Sequence, residues 1–219
     1  MCELLDGGSF DTGSIAVDAC PGWTVHSVVA HLVGVIEDAS AGRIQGIPGP
    51  SQTAEQVRRH RDDTLEALLQ RWRLISPVFE RALTDRQLWA AMFDVLSHEH
   101  DVRSALGDTG ARDSDSVRLA AQYLADSVDP DVHLVVRFDD DVTRSVPGPI
   151  EAFVLSTTPF EFFRLRLGRR SPAQVAALDW SQDPSSIIDR LFSLAPRATP
   201  LEETTARADN STGEPPCNT

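Results

Sequence analysis

What this chain lacks narrows its range first. Acidic residues outnumber basic ones 33 to 20 among 219 residues, a formal charge of −13. With no basic surplus there is little to displace counterions from a phosphate backbone, which argues against nucleic acid and anionic membranes as partners. No apolar run approaches the roughly 20 residues that cross a bilayer. The start, Met1-Cys2-Glu3-Leu4-Leu5-Asp6-Gly7-Gly8, has neither the basic head nor the long apolar segment of a signal peptide. Three cysteines, Cys2, Cys20 and Cys217, make no C-x-x-C and no disulfide framework. From these features a cytoplasmic location with reduced thiols is the expectation. No internal repeat is present.

What is there centres on residues 84–107. Thr84 can cap a helix start, Asp85 suits its positive end, and Gly107 stands where a terminating glycine belongs. Leu88, Met92, Val95, Val102 and Leu106 recur at three- and four-residue steps, an apolar stripe. Beside it lie Asp94 and His98, four apart and so only about 40° apart around the helix. A carboxylate and an imidazole so placed can converge on one ion; an isolated pair is more simply solvated and hydrogen-bonded. His100 lies about 200° from His98 and cannot share that ion.

The rest of the chain falls in order around this helix. After a glycine- and aspartate-rich start, Cys20-Pro21-Gly22-Trp23 is a turn, and Thr24 caps a helix from Val25 to about Ile44. His31 lies on its apolar face, where a lone histidine is ordinarily a core residue with one hydrogen bond. A third helix opens at Thr53 and presents Val57, Thr64, Leu65, Leu68, Leu69, Trp72, Ile75 and Phe79 inward, with Pro77 expected to kink or end it. A helix follows from Ser114. At Asp129-Pro130 the pattern turns to strands, 132–138, 142–146 and 150–157. Thr158-Pro159-Phe160-Glu161 and Ser171-Pro172-Ala173-Gln174 read as capping boxes with proline at the first helical position. Asp183-Pro184 is expected to open a last helix, ending near Ala195-Pro196. The expected architecture is α+β: a helical bundle over 1–129, a small α+β domain over 130–196, and a disordered tail over 197–219. His31, Asp94 and His98 form a candidate metal triad, two imidazoles and a carboxylate that leave a position open.

Pro21-Gly22-Trp23-Thr24-Val25 leading into Ala30-His31-Leu32-Val33-Gly34-Val35 resembles the start of the metal-binding bundle of mycothiol-dependent maleylpyruvate isomerases and their DinB-like relatives. His98-Glu99-His100-Asp101-Val102-Arg103-Ser104-Ala105-Leu106-Gly107 resembles that bundle's later helix. The runs 156–164 and 168–171 are similar to the family's second domain. The resemblance covers roughly 20–196 and implies a DinB-like four-helix-type bundle, its first helix short, followed by a small α+β domain. In the family one histidine of H-L-x-G-V binds metal, which matches His31. The other ligands are a glutamate-x-x-x-histidine pair three residues before an aspartate. Counting back from Asp101 gives His98 and Asp94, so aspartate replaces glutamate, one methylene shorter.

The resemblance further implies a divalent cofactor such as zinc, and mycothiol, the low-molecular-weight thiol of actinomycetes. Its thiolate would add to an electrophilic small molecule, in an isomerase or an S-transferase. Arg164 and Arg169 are the candidates to hold substrate carboxylates and Arg170 to contact the cofactor, against the plainer reading of surface charge at a helix end. Asp101 is expected behind the ligands or paired with Arg103, and His100 and His133 in structural or exposed places. None of the three cysteines is expected at the ion. The alternative to an enzyme is a bundle that binds metal or a thiol without turnover.

Overall fold

The computed structural model describes residues 1–6, 11–44, 47–82, 89–138, 141–145 and 152–203. Eight helices and a four-stranded sheet make up the described regular structure apart from short 3-10 turns: α1 (Cys2–Leu5), α2 (Val25–Ser40), α3 (Pro50–Arg59), α4 (Leu65–Ala82), α5 (Trp89–Ala105), α6 (Asp115–Asp126), β1 (Leu134–Phe138), β2 (Asp141–Ser145), β3 (Phe153–Thr157), α7 (Pro159–Arg166), α8 (Pro172–Ala176) and β4 (Asp179–Trp180). A helical bundle thus precedes a small α+β unit, as the sequence predicts. Among the described residues no helix is long and apolar enough to cross a membrane.

The bundle is built on α2. Thr24 accepts a hydrogen bond from the Ser27 amide and fixes its start. Val25, Val28, Val29, Leu32 and Val33 are buried against Leu68, Leu69 and Val102 of α4 and α5. Leu5 and Val17 from the N-terminal stretch join the same cluster, so that segment covers the bundle without forming a long helix. The single third helix expected from the sequence is two. The chain breaks at His60–Thr64, where His60 is drawn to Asp63 and Glu37, and the Thr64 hydroxyl caps α4. Pro77 lies inside α4, which continues to Ala82.

The second core gathers β1, β3, α6 and α7, with Ala120, Ala121, Leu124, Val136, Leu155, Phe162 and Phe163 buried in it. The sheet order is β2-β1-β3-β4, with β1 and β3 parallel and the outer pairs antiparallel. By packing, α6 goes with this core, although the sequence puts it in the bundle. Its small-residue face sits on α7 instead. The helix expected after Asp183 reduces to one 3-10 turn, Ile188–Arg190.

Two further expectations are corrected. Residues 197–203, read as the start of a tail, pack back on the fold, with Leu201 only 5% exposed and Glu203 tied to Arg164 and Arg170. Thr158 caps α7 through the Glu161 amide, but the Glu161 carboxylate turns to Arg170, a charged partner stronger than a backbone amide. Ser171 and Gln174 do form the full box. The expected cap at Thr84 lies outside the described residues, as does 204–219.

Helix α5 belongs to both cores. Met92, Phe93 and Leu96 pack into the α+β cluster, Val95 and Val102 into the bundle. It has no wet face over its middle, where Ser97, His98, His100 and Asp101 are all buried. Buried polar groups need partners, and theirs make the site.

Candidate metal centre

Each member of the predicted triad is placed by a local device. The 17–23 loop folds back on itself, with the Val17 amide bonded to the Trp23 carbonyl and Gly22 at φ +83°. This lays the Trp23 ring 5.2 Å from the His31 ring and 6.0 Å from that of His98. Gly34, one turn beyond His31, lets α3 approach α2 closely. A Cβ there would stand 2.6 Å from the Gln56 Cβ. A glycine costs about 1 kcal/mol in a helix interior, and this contact is what it permits. Helix α5 ends in a 6→1, 5→2 pair of bonds, Asp108 to Arg103 and Gly107 to Ser104, around Gly107 at φ +71°.

The three side chains meet. Nε2 of His31 is 3.1 Å from Oδ2 of Asp94, and Nε2 of His98 is 3.5 Å from Oδ1. One ligand atom from each lies within 4.8 Å of the others, a set able to hold a metal ion. The aspartate reaches both imidazoles, so its missing methylene leaves no gap.

The groups behind the histidines decide where their protons sit. Nδ1 of His31 is 2.9 Å from Oε1 of Gln56, whose Nε2 donates to Asp38 at 2.9 Å. Asp38 is in turn held by Arg43 and Arg59. Burial would raise its pKa, but Gln56 and these guanidiniums hold it below the usual carboxylate value. The Gln56 oxygen is therefore an acceptor, and His31 must give it the Nδ1 proton. On the other side Nδ1 of His98 lies 2.9 Å from Oδ2 of Asp101 and donates to it. Burial pushes the Asp101 pKa up, yet Arg164, Arg169 and His98 hold it well below the carboxylate range. With both Nδ1 protons committed, both Nε2 atoms present lone pairs to Asp94. Burial pushes the Asp94 pKa up, while the imidazoles in their protonated form and Arg169 pull it below its ordinary value. Three lone-pair donors facing one another require a cation or added protons between them. The residues present fit a divalent ion.

The three predicted arginines have separate fates. Arg164 is fully buried, bonded to Asp101 Oδ1 at 2.6 Å, Glu203 Oε1 at 2.6 Å and the Ser97 carbonyl at 3.2 Å. It is sealed off from any substrate and braces Asp101. Arg170 is clasped by Glu161 and Glu203 away from the triad. Only Arg169 reaches the site. Helix α7 ends at Gly168, φ +73°, with Arg169 bonded back to the Arg164 carbonyl. A Cβ on Gly168 would lie 2.3 Å from the Ala195 carbonyl oxygen. The turn sends Arg169 to Asp101, 2.8 Å away, at the wall of two adjoining cavities.

One cavity, about 290 Å³, is lined by Cys20, Trp23, His31, Asp94, His98 and Arg169. The other, about 240 Å³, shares Asp94 and Arg169 but is walled by Phe93, Tyr123, Leu124 and Leu167. Cys20 is closer to the site than expected. Its Sγ is 3.6 Å from Nδ1 of His98 and donates to Asp101 at 3.4 Å. Burial and the Asp101 charge push its thiol pKa strongly up. His100 is a neutral core ring, 4.9 Å from the Phe160 ring, its pKa lowered to about 4 by burial and Arg164.

Residues 5–112 match the family described as mycothiol maleylpyruvate isomerase N-terminal domain. The bundle is similar to that family over this stretch. The chain is similar to two crystal structures of the mycothiol-dependent maleylpyruvate isomerase. One aligns at 14% identity over 83% of this chain and 87% of that chain, with a TM-score of 0.50. A histidine-to-alanine mutant of that enzyme aligns over the same shares at 14% and a TM-score of 0.48. No curated protein matches the chain. The family match ends at 112, while the groups that brace the site, Arg164, Arg169 and Glu203, come from beyond it.

Proposed function

We propose that the chain is a metal-dependent enzyme that brings a thiol, mycothiol by its family, to an electrophilic small molecule. His31, Asp94 and His98 would hold a divalent ion, for which a nitrogen, nitrogen, oxygen donor set suits zinc. Such an ion, when bound, favours thiolate over thiol near neutral pH. The observation that carries this reading is the pair of fixed tautomers, which leaves both Nε2 lone pairs and the Asp94 carboxylate converging on one point.

The chain's own residues do the rest. Gln56 and Asp101 keep the two Nδ1 protons out of the site. Trp23 stacks on the His98 ring and meets the His31 ring edge-on. Arg169, held by Asp101, offers its remaining N–H groups to an anionic group of the acceptor. In the addition, a carbon–sulfur bond forms as the acceptor's double-bond pair moves onto its conjugated oxygen. Isomerisation then needs rotation about the new single bond and departure of sulfur with the pair, so no atom is gained or lost. Transfer would instead keep the carbon–sulfur bond, with a proton taken up at the neighbouring carbon.

Metal analysis of the purified protein tests the centre. About one equivalent is expected in the wild type and little in His31→Ala or Asp94→Asn. Equal metal in all three would discard the triad. In cobalt-loaded protein, mycothiol should produce a thiolate charge-transfer band that needs His98. Bound cobalt with no band would remove the thiol from the reading.

A further inference from the structure

The two cavities differ in chemistry, and that difference speaks to the acceptor. The chamber over the imidazoles is the one that faces His31, His98 and Cys20. The adjoining chamber touches the site only through Asp94 and Arg169 and is otherwise walled largely by Ala90, Phe93, Tyr123, Leu124, Leu167 and Leu194. Phe93, Leu124 and Leu167 are buried. Ile47 and Tyr123 stand at its edge 61% and 45% exposed, two of the four large apolar side chains left open to water among the described residues. A dry cavity of about 150 Å³ admits benzene, so about 240 Å³ takes one ring with a short chain.

Charge sets the second limit. Among the described residues lining either chamber Arg169 is the single arginine, and Asp94 is the carboxylate beside it. A guanidinium has five N–H groups. Arg169 directs three, from Nε and Nη2 to Asp101 and from Nη1 to the Leu167 carbonyl. Two remain, enough for one carboxylate. A second carboxylate in this chamber would meet apolar wall, Asp94 and only the neutral hydroxyls of Ser97, Ser127, Ser193 and Tyr123, with no second cationic side chain to offset its desolvation.

From this we propose that the acceptor is a monoanion with an apolar body about the size of one aromatic ring, its head at Arg169 and its body in the Phe93–Leu124–Leu167 chamber. A small dicarboxylate is excluded as the preferred substrate. The assignment rests on the proposed thiol-addition site only for the word acceptor. The ligand preference follows from the cavity walls whether or not metal is bound.

Calorimetric titration of the full chain, first stripped with chelator and then loaded with zinc, separates the two. Cinnamate should bind about tenfold or more tightly than either maleate, which lacks the ring, or cinnamyl alcohol, which lacks the charge. Ala90→Phe, which fills the chamber from α5, should weaken cinnamate by about tenfold or more and leave metal content unchanged. Maleate binding as well as cinnamate in the wild type overturns the proposal without any variant. So does unaltered cinnamate affinity in a folded Ala90→Phe protein. Loss of zinc from the wild type would count against the metal centre and leave the cinnamate-to-maleate ratio to judge this one.

Discussion

Gln56 Oε1 stands 2.9 Å from Nδ1 of His31, in the buried seam where α2 and α3 meet. Its amide is turned by Asp38, so an uncharged side chain sets the proton position of an imidazole in the candidate metal triad. Gln56→Leu removes that control and leaves Asp38 short of a donor. Zinc affinity should fall about 10- to 100-fold, the range found when such supporting groups are lost. Competition with a coloured chelator measures it, and unchanged affinity would mean the His31 tautomer is set elsewhere.

Gly34 carries the same seam sterically. Gly34→Ala would place a methyl 2.6 Å from the Gln56 Cβ, and the helices must part. Destabilisation of about 1–3 kcal/mol is expected despite alanine's better helix propensity. Urea unfolding should show a lower midpoint at unchanged slope, with zinc affinity reduced as well because Gln56 moves.

Glu203 accepts from both Arg164 and Arg170 and is 5% exposed in its side chain. Removing it takes one of two carboxylate partners from each guanidinium, leaving Arg164 with Asp101 and Arg170 with Glu161, so Glu203→Ala should cost about 1.5–3 kcal/mol. Burial would raise its pKa, but the two arginines hold it below 4.5. Its contribution is therefore full above 4.5 and lost as pH falls through the lower folded value. Wild type should lose stability in that acid window more steeply than Glu203→Gln, as thermal melts across pH would show.

Cys20 faces the Nδ1 side of His98, behind the triad. Cys20→Ser should keep its metal. Its raised thiol pKa predicts slow alkylation by iodoacetamide at pH 8 in the folded protein and fast alkylation in urea. Metal loss in the serine variant would move Cys20 into the ligand set.

Local signals were legible where local chemistry decides. Thr24, Ser114, Thr158 and Ser171 each cap the helix they precede, and the glycine at 107 ends its helix as its position suggests. The spacing of Asp94 and His98 placed both on one helix face, and His31 does come to meet them. What escaped depends on distant partners. Three arginines near one helix end look alike in sequence; Asp101 and Glu203, 63 and 39 residues from Arg164, tell them apart. Periodicity showed that α6 buries a face but not which core receives it. Gln56 bears no motif. A glycine inside the apolar run of α2 was its one available trace, since an interior glycine wants a reason.

The double allegiance of α5 separates a unit of inheritance from a unit of folding. The family segment closes at residue 112, yet a polypeptide cut there would turn Met92, Phe93 and Leu96 out into water. It would also strip Asp101 of both guanidiniums while leaving that carboxylate against His98. Such a fragment would be sticky and poorly poised for metal, so exchanging second domains between relatives means resurfacing one flank of this helix at the same time.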